Sequence, residues 1–210
     1  MIWSECIANR VLVTLAMVLF VLDFPEILRL LPMLRKCLGG TKTNLDLEHQ
    51  LGAARSRNLS ALICTLPFCL ILDRYGVYPL WLNLNPGWSF VGILVTLIAF
   101  LVFRMLLYIL IFNPRSMNQE IRLTVRRTLY SVFIPLTLLC CLSVGIMFVF
   151  KASDAAISCV LKWEIIAFYL IALLRSLQIS ARYCSPLSTI LYLCALEVLP
   201  LGLLVLGIML

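Results

Sequence analysis

Few residues in this chain of 210 combine reactive chemistry with a position that could use it, and Glu197 comes first. It lies ten residues after Leu187 in an apolar run, so at the rise of an α-helix it sits about 15 Å deep, near the middle of a bilayer's hydrocarbon. An ionised carboxylate there costs at least about 2.5 kcal/mol, so it must be neutral, wet or paired. Arg104, eight residues from the inner end of another apolar run, lies about 12 Å deep by the same rise and is the preferred partner. Arg175 is the alternative, reaching inward from the adjacent helix. Facing the interior of a helix bundle, such a pair either fixes packing or forms a proton or substrate site.

Other chemistry is thinly represented. Nine cysteines include no CxxC pair. Those inside apolar runs (Cys64, Cys69, Cys140, Cys141, Cys159 and Cys194) read as small buried hydrophobes. His49 is the sole histidine, so no metal site is expected. There is no GxSxG elbow, HExxH or Ser/His arrangement, and Gly39-Gly40-Thr41-Lys42-Thr43-Asn44 is a flexible turn without the spacing of a phosphate loop. The reading is therefore non-enzymatic and implies no cofactor. A lipid-modifying enzyme would need a polar cluster at an interface, for which the basic segment after Asn113 is the candidate.

The elements that must position these residues follow from composition. A chain 63% apolar and 13% charged, with a mean hydropathy of +1.06, departs far from an ordinary soluble domain. Its length, divided by the roughly 20 residues that cross a bilayer, leaves room for about six helices. The fold class expected is all-α, a polytopic transmembrane bundle forming one domain, with spans at about 7–22, 59–76, 88–112, 129–150, 157–177 and 187–210. Asp23-Phe24-Pro25-Glu26 marks the exit of the first, and 59–76 is the weakest. The first is read as a retained span rather than a signal peptide. Run length favours helices, since barrel strands alternate in polarity.

Lys and Arg distribute unevenly between these spans. The first loop carries Arg29, Arg35, Lys36, Lys42, Arg55 and Arg57, the third Arg115, Arg122, Arg126 and Arg127, and the fifth Arg175 and Arg182; the second and fourth carry Arg74 and Lys151. The positive-inside rule places the odd loops in the cytoplasm and both termini outside. Five or seven spans would move one terminus across. The net charge of +7 then speaks for topology rather than nucleic acid. Segments 25–38 and 117–128 read as basic amphipathic helices in the headgroup layer. Lys162, Trp163 and Glu164 read as an interfacial belt without chemistry.

A weak threefold pattern runs through the chain. Leu28-Arg29-Leu30, Phe103-Arg104-Met105 and Leu174-Arg175-Ser176 fall on odd helices, while Pro67, Pro135 and Pro200 fall inside even ones. Proline separations of 68 and 65 residues fit three tandem helical hairpins. Each proline should kink its helix and free a carbonyl that needs a partner; Thr65 and Glu197 are the nearest candidates.

The stretch Ser185-Pro186-Leu187-Ser188-Thr189-Ile190-Leu191-Tyr192-Leu193-Cys194-Ala195-Leu196-Glu197-Val198-Leu199-Pro200 resembles the closing signature of a Bacteroidetes integral-membrane family, domain of unknown function 4271. The resemblance is specific over these sixteen residues and looser over the fifth span. It implies a bacterial inner membrane and places Glu197 and Pro200 in the family motif, with no activity attached. The function expected is an accessory membrane component working with a membrane-protein partner. A small transporter or insertase-like protein, with a polar groove lined by Arg104, Arg175 and Glu197, is the alternative.

Overall fold

The computed structural model describes residues 7–39, 50–77, 86–111 and 119–183. They form five helices: α1 (Ile7–Gly39), α2 (Leu51–Arg74), α3 (Pro86–Ile111), α4 (Gln119–Val149) and α5 (Asp154–Tyr183). Each contains a stretch long and apolar enough to cross a membrane. The fold is all-helical and compatible with an integral membrane protein. The expected sixth span, 187–210, lies outside the described residues and takes Glu197 and Pro200 with it.

Three expected boundaries move. The first helix does not exit at Asp23-Phe24-Pro25-Glu26; α1 runs on through Pro25 and Pro32 to Gly39. Helical proline removes one backbone donor, but where no water competes for the freed carbonyl, continuing the helix is the cheaper solution. The continuation is held by packing: Ile27, Leu30, Leu34 and Cys37 are buried, a stripe at helical spacing. Segment 25–38 is thus part of α1 rather than a separate surface helix. Similarly, α2 starts at Leu51, eight residues before the expected 59. It takes in Arg55 and Arg57, and Ala54, Arg57, Ala61, Cys64 and Phe68 form its buried stripe. Residues 119–128 likewise belong to α4.

Two buried clusters fix the arrangement. In one, Ala16 of α1 joins Phe68 and Leu72 of α2, Phe90 and Ile93 of α3, Cys140 of α4 and Leu161 of α5. In the other, Ile27, Leu30 and Leu34 of α1 meet Ala61 and Cys64 of α2 and Ile134 of α4. Partner numbers on α2 fall as those on α1 rise, so the two helices are antiparallel. Arg74 at the end of α2 pairs with Asp154 at the start of α5, 3.6 Å apart. Arg57, near the start of α2, reaches Ser131 in the first half of α4. Helix direction therefore alternates along the chain. One end of the bundle gathers the starts of α2 and α4 and the ends of α1, α3 and α5; Arg35, Lys36, Arg55, Arg57 and Arg175 lie toward it, and we call it the basic end.

The closest packing is between α4 and α5, α1 and α2, and α2 and α4, whereas α3 leans chiefly on α2. Among the described residues the second of the three expected hairpins does not close tightly, because α3 packs more on α2 than on α4; the third involves residues outside the described ones. Prolines are not confined to alternate helices either, since α1 carries two. Pro67 and Pro135 do lie inside α2 and α4. Thr65 donates to the carbonyl of Leu62, at 2.6 Å, not to that of residue 63, which Pro67 leaves without its usual donor.

Two helix ends close in the same way. At the end of α2, the Gly76 N–H donates to Asp73 O and the Val77 N–H to Leu72 O, with Gly76 left-handed at φ 55°. At the end of α4, the Lys151 N–H donates to Phe148 O and the Ala152 N–H to Met147 O, with Lys151 at φ 51°. This double bond to the last carbonyls needs a residue in the left-handed region, where glycine fits freely and lysine does not. A Cβ on Gly76 would meet nothing within 4 Å, so its substitution has a purely conformational cost. Lys151→Gly is expected to raise stability by about 1 kcal/mol and Gly76→Ala to lower it by about as much. For a chain of this size each is about 2–4 °C in thermal melting of the detergent-solubilised protein, in opposite directions. Ser153, whose hydroxyl accepts from the Ala156 N–H at 3.3 Å, then caps α5.

Candidate functional site

A cavity of about 760 Å³ lies between α2, α3, α4 and α5. It exists because α3 stands away from α4 and α5 while touching α2. Phe68 and Phe133, edge to face with centroids 5.0 Å apart, line it across α2 and α4. Ile93 and Leu72 lie toward one end; Asn58, Tyr130, Phe103 and Ala172 lie toward the basic end. From Asn58 to Leu72 the cleft follows α2 for about 20 Å. Among the described lining residues there is no Asp or Glu. Thr65 and Thr96 contribute hydroxyls in its middle, and both donate to carbonyls of their own helices, Leu62 at 2.6 Å and Gly92 at 2.8 Å.

Arg57 is almost fully buried, 1% exposed, beside the basic end of this cleft. Its Nη2 and Nε donate to Asn58 Oδ1 at 2.8 and 3.2 Å, and Nη1 reaches Ser131 Oγ at 3.4 Å. Thr128 and Ser131 are buried on the facing side of α4. An arginine stays buried only where its donors are met, and Asn58 meets two of them with one oxygen.

A second polar group lies in the interface of α1 with α2. Asp23, expected to mark an exit, is 8% exposed and within electrostatic reach of Cys64. Among the described residues, Asp23 Oδ2 and Ser60 Oγ are buried without a hydrogen-bond partner. An unpartnered buried oxygen destabilises by about 1–3 kcal/mol. Leucine has nearly the shape of aspartate without that penalty, so Asp23→Leu should raise stability by about 1–2 kcal/mol. A lower melting temperature than the parent's would show that the carboxylate is satisfied after all.

Of the residues singled out from the sequence, Arg104 is half-buried on α3, immediately after the cleft-lining Phe103. Arg175 is half-buried on α5, three residues beyond Ala172, and donates to Gln178 Oε1 at 2.6 Å. The two thus fall at the same end of the bundle; Glu197 lies outside the described residues. Glu164, read as interfacial, turns inward: its carboxylate is 3.1 Å from the Ser143 hydroxyl on α4. Buried Cys64, Cys69 and Cys140 fit the expected packing role, whereas Cys159 is exposed. No group of three or more metal-ligating side chains occurs among the described residues.

Sequence reasoning missed Arg57, Asn58 and Asp23. A signal was present in the weakness of the second apolar run: the least apolar of the five candidate spans is also the most buried. A helix enclosed by protein can carry polar residues that a lipid-facing one cannot. Comparison of the chain with known protein families, curated proteins and solved structures finds no match.

Proposed function

We propose that this chain is a multi-pass membrane protein that holds a lipid-like molecule in the cleft beside α3, admitting its apolar chain sideways from the bilayer. One observation carries the reading: a cavity of about 760 Å³, within the roughly 300–1,000 Å³ of ordinary ligand sites, with mostly apolar walls and one wall a helix that, among the described elements, packs chiefly on α2. Protein interiors close to crystal-like density, so a cleft of this size gives a second molecule room to make dispersion contacts along its walls. At membrane depth, hydrocarbon chains are the filler at hand.

Holding a lipid needs no catalytic group, which agrees with the absence of an enzymatic motif in the sequence. It also joins the two functions expected from the sequence, since an accessory protein that keeps a lipid for a membrane-protein partner is both a component and a carrier. On this reading the basic end faces the cytoplasm by the positive-inside rule, and a sixth span over 187–210 would put both termini in the periplasm. Assignment to a bacterial inner membrane, and kinship with domain of unknown function 4271, rest on the run from Ser185 to Pro200 alone.

Native mass spectrometry of the full chain, released from membranes in mild detergent, tests the reading. One lipid-sized adduct should survive conditions that strip the annular lipids. A protein that sheds every adduct together with those lipids would overturn it.

A further inference from the structure

We infer that the end of the cleft at Asn58 and Tyr130 is a headgroup subsite for an anionic oxyacid, a carboxylate or phosphate, carried on a single-chain amphiphile; the inference rests on the cleft being a lipid site. Its warrant is the orientation of one amide. Guanidinium groups donate and never accept, and two donors of Arg57 converge on Asn58 Oδ1 at 2.8 and 3.2 Å. Arg57 therefore decides which way the amide faces: oxygen toward the guanidinium, NH2 away from it. Asn58 itself lines the cleft, so the polar atoms it has left to offer a ligand are N–H donors, polarised by the cation behind them.

The middle of the cleft offers the opposite. Thr65 and Thr96 have committed their protons to Leu62 O and Gly92 O and present oxygen lone pairs alone. An anion is repelled from that level and accepted at the Asn58 end, where the Tyr130 phenol supplies a further donor. Charge agrees with hydrogen bonding: Arg57 stands behind Asn58, while Arg104 and Arg175 follow the lining residues Phe103 and Ala172. A cationic headgroup finds no carboxylate among the described lining residues. The cleft's full length, about 20 Å along α2 from Asn58 to Leu72, exceeds the roughly 15 Å of one leaflet's hydrocarbon and takes a single chain.

Four probes of equal chain length decide it: hexadecanoic acid, hexadecyl phosphate, hexadecanol and hexadecyltrimethylammonium, titrated onto the delipidated full chain in a nonionic detergent. The acid and the phosphate should bind roughly tenfold or more tightly than the alcohol and the ammonium, the ratio expected from one charge-assisted hydrogen bond. Comparing acid with phosphate tells a fatty acid from a phosphate-bearing lipid. Arg57→Met, which removes the cation and frees the Asn58 amide to turn, should abolish the preference for the anionic probes. If that variant does not fold, Tyr130→Phe removes the other donor without touching Arg57 and should reduce the preference about threefold. Equal binding of all four probes, or a preference undiminished in the variant recovered, overturns the headgroup subsite and leaves the cleft as a lipid site. Failure of all four to bind removes the cleft reading itself.

Discussion

Arg57→Ala is expected to lower the melting temperature of the detergent-solubilised chain by about 6–12 °C, and Arg57→Met by less than half as much. The argument starts from what the guanidinium satisfies. Asn58 Oδ1 accepts both its shorter bonds, and Ser131 lies at its third nitrogen. Truncation to alanine strands a half-buried polar oxygen, at about 1–3 kcal/mol, and opens a cavity where a large side chain was 1% exposed. A combined loss of about 3 kcal/mol corresponds to that shift for a chain of this length. Methionine fills most of the volume and removes the cost of burying a charge, so the stranded amide oxygen is the main loss left. Melting followed by size-exclusion chromatography distinguishes the two. Alanine and parent melting together would show that Arg57 is solvated rather than built into the α2–α4 interface.

The case of Arg57 also shows how far the sequence is readable. Apolar run length located all five described helices, because a bilayer-crossing segment leaves no other way to satisfy its backbone. Helix ends were harder to place, since they depend on tertiary contacts. Nothing local indicates that α1 continues past Pro25; Ile27, Leu30 and Leu34 continue it by packing against Ala61 and Cys64. Charge was misleading for a related reason. Arg55 and Arg57 have the same type and nearly the same position, yet the first is exposed and the second buried. A helical offset of two residues turns them to different faces, and only knowledge of the neighbouring helix says which face is inside. Gly76 was readable as a turn residue in principle; Lys151, in the same backbone conformation, was not. The cleft could not be foreseen at all, since it records where α3 fails to meet α4 and α5.

Ala172→Trp, introduced on the α5 wall, is expected to reduce retained lipid by roughly tenfold or more while leaving the fold intact. Ala172 is buried and lines the cleft, so an indole there occupies space that the bound chain would use. Excluding even a few methylenes from a hydrophobic site, at about 0.8 kcal/mol each, exceeds a tenfold loss. Stability provides the sharper test. In the parent, added lipid should raise the melting temperature, because a ligand that binds the folded state alone stabilises it in proportion to the logarithm of its concentration. In Ala172→Trp the side chain fills the void permanently. The delipidated variant should then melt above the delipidated parent and respond little to lipid. Leu170→Trp, on the outward face of the same helix where Leu170 is exposed, adds the same bulk outside the cleft and should preserve both retention and the lipid response. If the two tryptophans behave alike, the space between α3 and its neighbours is not where lipid binds.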